Sequence, residues 1–272
     1  MVARFSKIKN LSSWRKISLH TWGNASDPTV YGTIEIDVTR ALKWIARARE
    51  EHDVRVTITH LVGKAIALAI AERPEVNAII RFGRLYQRST IDVFYQVAFE
   101  GGENLSGAKV AEADRKSVVE TARELEERAA RVRAKKDKDL QKTTNVIDSI
   151  PEGWIGPMMR SITWLTYDLG LDLRKLGLPY DQFGSVMVTN VGSFGLPAGF
   201  APLVPFARTP ILLTIGAIQD KPLAIDGRVE VRPVLSIGAT FDHRLLDGYQ
   251  AGKLAARFKQ VVEDPERTLG AP

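Results

Sequence analysis

The stretch from Val56 to Ala71 constrains the fold more than any other part of this chain, because it is apolar on nearly every face. It is too long for an ordinary strand, and a helix without a polar face is buried on most sides. Glu72-Arg73-Pro74 ends it, since the residue before a proline avoids helical angles. A chain of 272 residues is long enough to enclose such a helix in a sizeable core.

The segments around it alternate in type. Val30 to Ile36 reads as a strand, and Asp37 or Thr39 is placed to cap the helix that follows. Leu42, Ile45, Ala46 and Arg49 recur there at helical spacing. Ile91 to Phe99 alternates every second residue, as a strand does. Asp114 is expected to cap a second long helix, with Val118, Ala122, Leu125, Ala129 and Val132 as its apolar stripe. Its basic end (Arg131, Arg133, Lys135, Lys136, Lys138) reads as a solvated face that complements the helix dipole.

Between about 142 and 179 lies an amphipathic segment of about four helical turns. Ile155, Met158, Ile162, Leu165 and Leu169 form its stripe, widened by Trp154, Met159 and Trp164. Few basic residues accompany it, so packing against the domain or a sister subunit is expected rather than membrane binding. Three strand-like runs follow, at Gly184–Thr189, Ile211–Ala217 and Arg228–Phe241. Asp226-Gly227 is a hairpin signal between the last two. A final helix starts near Asp247 and ends before Pro265. The order is that of a mixed α/β chain forming a single domain over 1–272, without internal repeats.

Lys and Arg total 38 against 32 acidic residues, a net charge of +6. That balance suits nucleic acid, an anionic membrane surface or a phosphate-bearing substrate, and does not choose among them. No aromatic–basic module and no glycine-rich phosphate loop accompanies the charge, so no nucleic-acid partner is expected. The absence of cysteine excludes disulfides, thiolate metal sites and a cysteine nucleophile. No run approaches the ~20 apolar residues of a membrane span, and Met1 to Asn10 has no signal-type apolar core. A cytoplasmic protein without a membrane span is expected.

Only four histidines exist. His20, His52 and His60 lack ligand-like spacing, so no metal site is expected. His243 stands apart, because it ends a long strand-like run and precedes Asp247-Gly248 and a helix. A residue at such a corner projects toward solvent or a cleft. The pattern His-x-x-x-Asp-Gly is weak when taken alone.

Its surroundings strengthen it. Thr240 to Gly248 (TFDHRLLDG) resembles the active-site segment of the dihydrolipoamide acyltransferases. These are the catalytic domains of 2-oxo acid dehydrogenase complexes, related to chloramphenicol acetyltransferase. Met187 to Gly195 resembles that family's Ser/Thr-bearing strand and turn, and Pro210 to Ala217 the strand after it. Ala113-Asp114-Arg115-Lys116-Ser117, Pro74 to Ala78 and Trp14-Arg15-Lys16 match further landmarks in the family's order. The likeness covers nearly the whole chain, with one insertion around Trp154 to Leu173.

The resemblance implies a chloramphenicol acetyltransferase-like mixed sheet flanked by helices, assembled as a homotrimer with active sites between subunits. It implies an acyltransferase that uses a coenzyme A thioester as substrate, a thiol acceptor and no permanently bound cofactor. His243 would be the general base, since a neutral imidazole of ordinary pKa about 6.5 suits that task near pH 7. Thr189, with Asn190 beside it, would donate a hydrogen bond to the tetrahedral oxyanion. Asp247 would pair with Arg15 to fix the catalytic loop, and losing one partner of a buried pair costs roughly 3–5 kcal/mol. Gly248 would permit close approach or an unusual backbone angle. Asp247 as a simple helix cap is the alternative reading.

Three departures from the family matter. No lipoyl or peripheral-subunit-binding domain precedes the catalytic segment, which suggests a stand-alone enzyme with a lipoyl group supplied in trans. Glu103 to Val110 replaces a more apolar stretch, and Glu266 to Pro272 lacks the apolar tail that joins trimers into large cores. An assembly that stops at the trimer is therefore expected. A catalytically inactive assembly subunit is the competing reading, against which the presence of both His243 and Thr189 argues.

Overall fold

A computed structural model describes residues 27–99, 104–133, 151–173 and 180–272. The strands are β1 (Thr29–Asp37), β2 (Ala78–Arg81), β3 (Arg84–Gln87), β4 (Val93–Phe99), β5 (Asn104–Val110), β6 (Val186–Asn190), β7 (Ile211–Ile215), β8 (Gln219–Ile225) and β9 (Arg228–Asp242). The helices are α1 (Thr39–His52), α2 (Ile58–Ala71), α3 (Val118–Arg133), α4 (Glu152–Thr163), α5 (Gly248–Glu263) and α6 (Pro265–Leu269).

The main sheet is mixed and runs β1-β9-β7-β6-β4-β5, with β8 paired to the first half of β9. The centre, β4-β6-β7, is parallel. β9 is antiparallel to β1, β7 and β8, and β5 to β4. β2 and β3 form a separate hairpin. Because side chains alternate across a strand, Tyr95, Val188 and Leu213 face the helices, while Phe94, Met187 and Leu212 face a smaller cluster with Ala207. The expected layered α/β class with helices against a mixed sheet is therefore the observed one.

α2 is the innermost helix, and every residue from Leu61 to Ala67 is buried. Full burial of an aliphatic side chain such as Leu61 or Ile70 stabilises by about 1.5–3 kcal/mol. Gly63 lets the helix lie directly on the sheet, because a Cβ there would fall 1.9 Å from the Tyr95 hydroxyl. Its N-terminus is held by Thr57 and His60, whose Nδ1 accepts the Thr57 N–H at 3.2 Å. Burial, and then the charges of Arg49 and Arg55, push the His60 pKa down to about 4. Lys64 is buried too, and its ammonium donates to the carbonyls of Asp114 and Lys116, each at 2.6 Å. Burial lowers its pKa.

Several expectations need correction. In α1 the buried stripe is Ala41, Trp44, Ile45 and Ala48, so Leu42 and Ala46 face outward. The packed face is chosen by β9 and α5, which period alone does not reveal. α3 is capped by Ser117 rather than Asp114. The Ser117 hydroxyl accepts the Glu120 N–H at 3.1 Å, and Glu120 accepts the Ser117 N–H at 2.7 Å. Asp226-Gly227 closes a hairpin between β8 and β9, not between β7 and β9. Pro222 within β8 disguised that strand, which tolerates it by lying at a sheet edge.

In the 142–179 segment the helix stops at Thr163 and continues as a wider π turn, Trp164–Asp168. The extra residue in that turn rotates the face, so Thr166 is buried and Leu169 is exposed. Positions 142–150 and 174–179 of that segment, and Lys135, Lys136 and Lys138, lie outside the described residues.

Candidate active site

β9 ends at Asp242, and the chain turns sharply before α5 begins at Gly248. The turn is pinned from both sides. Asp242 N–H donates to the Pro210 carbonyl at 3.0 Å, and His243 N–H to the Pro28 carbonyl at 2.9 Å. The Asp242 carbonyl accepts from Leu245 and Leu246, and Leu246 is buried in the core. Asp242 itself is buried, and its carboxylate receives the Arg244 backbone N–H at 3.0 Å and the Arg244 guanidinium at 2.6 Å. That hydrogen bond is the main reason the Arg244 pKa is raised. The result is a rigid corner with His243 exposed at its apex. The acid and base two residues apart, Asp242 and Arg244, are the sequence signal for this brace.

Asp247 caps α5. Its carboxylate accepts the Tyr249 N–H at 2.7 Å and the Gln250 N–H at 3.2 Å, and Gln250 Oε1 accepts the Asp247 N–H in return. Of the two readings considered for Asp247, the cap is the one formed among the described residues. Arg15, its expected ionic partner, lies outside them. Gly248 starts the helix with ordinary backbone angles, and a Cβ there would meet nothing within 4 Å among the described residues. Neither steric reason expected for a glycine operates among the described residues.

Thr189 lies half-buried near the end of β6. It is in register with Thr214 on β7, which is in register with Gly238 on β9. The next residue, Asn190, donates its amide to the Thr59 hydroxyl at 2.9 Å and accepts the Ser193 N–H at 3.2 Å, which secures the turn after the strand. Four residues along β9, one step past its end and two strand steps separate His243 from Thr189, a Cα separation of roughly 19 Å. One chain therefore does not bring the two expected catalytic side chains together.

The His243 corner borders a cleft of about 250 Å³. The cleft is lined by Asp27, Pro28, Asp242, Arg244 and Leu245 together with Leu203 to Pro205, Arg208 and Thr209. Cations and carboxylates are matched along it, so the cleft presents no large net charge. Among the described residues no group of three His, Asp or Glu side chains is arranged to hold a metal, and no helix is long and apolar enough to cross a membrane.

The profile of the family described as 2-oxoacid dehydrogenases acyltransferase (catalytic domain) matches residues 7–153 and 174–270. The unmatched residues between are 154–173. The chain is 33% identical over 249 residues to the succinyltransferase component of the mitochondrial 2-oxoglutarate dehydrogenase complex of Sus scrofa, covering 86% of this chain and 44% of that protein. It is 25% identical over 260 residues to the acetyltransferase component of the pyruvate dehydrogenase complex of Zymomonas mobilis, covering 94% and 49%. The chain thus spans about half the length of the curated relatives it matches. The solved cubic core of the pyruvate dehydrogenase multienzyme complex superimposes with a TM-score of 0.66 at 19% identity, covering 98% of this chain and 96% of that one.

Proposed function

The chain belongs to the 2-oxoacid dehydrogenase acyltransferase family, and from that premise we propose that it transfers an acyl group between coenzyme A and a thiol of dihydrolipoyl type. The observation that carries the reading is the corner at His243. Both flanking residues are tied down by hydrogen bonds, while the imidazole is left accessible for proton transfer.

In this reading neutral His243 takes the proton of the attacking thiol. The thiolate adds to the thioester carbonyl carbon, and the oxyanion formed accepts a hydrogen bond from the Thr189 hydroxyl. Collapse breaks the original C–S bond, and the departing thiolate takes the proton back from His243. The roughly 19 Å between Thr189 and His243 within one chain supports a site completed by a second copy, hence a cyclic homotrimer with three equivalent sites.

The test is thiol release from acetyl-, succinyl- and branched-chain acyl-CoA with dihydrolipoamide as acceptor. Turnover is expected with at least one donor, and His243→Ala should lower it by about 10²- to 10⁴-fold. Absence of turnover together with absence of CoA binding in calorimetry would leave the fold as an assembly subunit without the reaction.

A further inference from the structure

The residues outside the family match, 154–173, are bonded into the wall of the cleft that the His243 corner borders. Asp168, in the π turn after α4, receives the Arg208 guanidinium on its carboxylate at 2.8 Å, and the Arg81 guanidinium on its carbonyl at 3.2 Å. Asp168 is largely buried, with 11% of its side chain exposed, so solvent screens this pair less than it would a surface one. Arg81 also packs over Gly170, where a Cβ would meet its Nη2 at 2.4 Å.

Arg208 is held from its backbone as well. Its φ of 53° is in the left-handed region, which non-glycine residues keep only when their surroundings impose it. Arg88, almost fully buried, donates to the Arg208 carbonyl at 3.1 Å and makes a two-pronged ion pair with Asp181. The same Asp181 carboxylate acts on Tyr167, whose pKa is raised by burial and then by that charge. Asp168 of the segment and the Arg88–Asp181 pair thus hold Arg208 through its side chain and its backbone carbonyl. α4 packs on the Pro205–Ala207 turn just before it. Two residues after it, the Pro210 carbonyl accepts the N–H of Asp242, next to His243.

We propose that the 154–173 segment is a specificity element, in which Asp168 is a positioning residue that acts through Arg208 to set the width of the cleft at the His243 corner. The cleft has matched charges and apolar walls from Ile80, Leu203, Val204 and Leu245, so it suits a slender uncharged arm ending in a thiol or thioester. The arm of coenzyme A and the dihydrolipoyl arm share that chemistry. The inference rests on the acyltransfer reading, and the experiment below separates the two.

Asp168→Ala, Arg208→Ala and the double variant would be compared with the parent chain. First the acyl chain of the donor is varied at fixed dihydrolipoamide. Then the acceptor is varied, dihydrolipoamide against a shorter dithiol, at fixed donor. Asp168→Ala is expected to relax kcat/KM discrimination in one of the two series by about fivefold, with kcat for the preferred pair within about twofold. The double variant should match Arg208→Ala alone, because Asp168 acts through that residue. The series that moves identifies the arm that passes the cleft.

Unchanged discrimination in both series would overturn the proposal, as would a uniform fall in all rates with a lowered melting temperature, or additive losses in the double variant. If the parent shows no turnover, the acyltransfer reading fails by itself, and calorimetric titration with CoA and with dihydrolipoamide still reads the cleft. Weaker binding of one of them by Asp168→Ala would then support the segment's role. Equal binding by parent and variant, or binding of neither by the parent, would overturn it.

Discussion

Two ends of the central sheet carry the residues expected to do the chemistry, and they are built differently. At the β9 end the chain turns away from the sheet, and His243 stands exposed on a corner braced by Asp242 and Arg244. At the β6 end Thr189 is half-buried beside Thr214, which is buried under the loop at Gly199. Asn190 there is tied to Thr59 in the first turn of α2, next to His60. A group that shuttles protons needs access to the reacting thiol. A group that steadies an oxyanion needs a dry, fixed setting, since a hydrogen bond is stronger away from water. The contrast matches the two tasks of the proposed mechanism, in which a second copy would bridge the distance between the ends.

The sharpest way to break that comparison is to separate the ends genetically. Thr189→Ala should lower turnover by about 10²- to 10³-fold while Thr189→Ser retains most of it, because the serine keeps the hydroxyl. If each site joins His243 of one copy to Thr189 of the next, mixed trimers of His243→Ala and Thr189→Ala chains should recover about a quarter of parental activity. No recovery, in trimers verified by light scattering to contain both variants, would place the two residues in separate roles.

A smaller effect distinguishes the ends by pH. The folded pKa of His60 is depressed to about 4, against 6.5 for an unburied histidine. The unfolded chain therefore binds more protons between those values, so this stabilisation is complete above pH 6.5 and is lost as pH falls toward 4. The loss approaches about 3 kcal/mol. Denaturant midpoints at pH 7.5 and pH 5 should show it, and His60→Asn should flatten that part of the profile.

The smallest effect belongs to the exposed end. Asp247→Ala removes a helix cap and should cost about 1 kcal/mol in the same unfolding measurement, while Asp247→Asn should cost less. A loss of several kcal/mol would instead show that Asp247 is one half of a buried ion pair.

The fold was readable in the sequence wherever a local signal was strong. The run at Val56–Ala71, apolar on nearly every face, became the innermost helix, which ends before Pro74. Val30–Ile36, Gly184–Thr189 and Arg228–Phe241 became strands close to the expected limits, as β1, β6 and β9. Where two local signals competed, local sequence did not separate them. Asp114 resembles a cap, but Ser117 has Glu120 three residues on and closes a reciprocal pair. In α1 the period was right and the buried face was not, because Trp44 rather than Leu42 meets the rest of the molecule.

By itself the sequence determined the longer helices and the core strands, the deep burial of α2, the family motifs and the corner type at His243, because each depends on residues within a turn or two of one another. Tertiary structure decided everything that depends on strand pairing across the chain. It separated Thr189 from His243, carried Asp168 to Arg208 across 40 positions and closed Arg88 on Asp181 across 93. Such contacts follow from how the sheet aligns distant segments, and no local periodicity encodes that alignment.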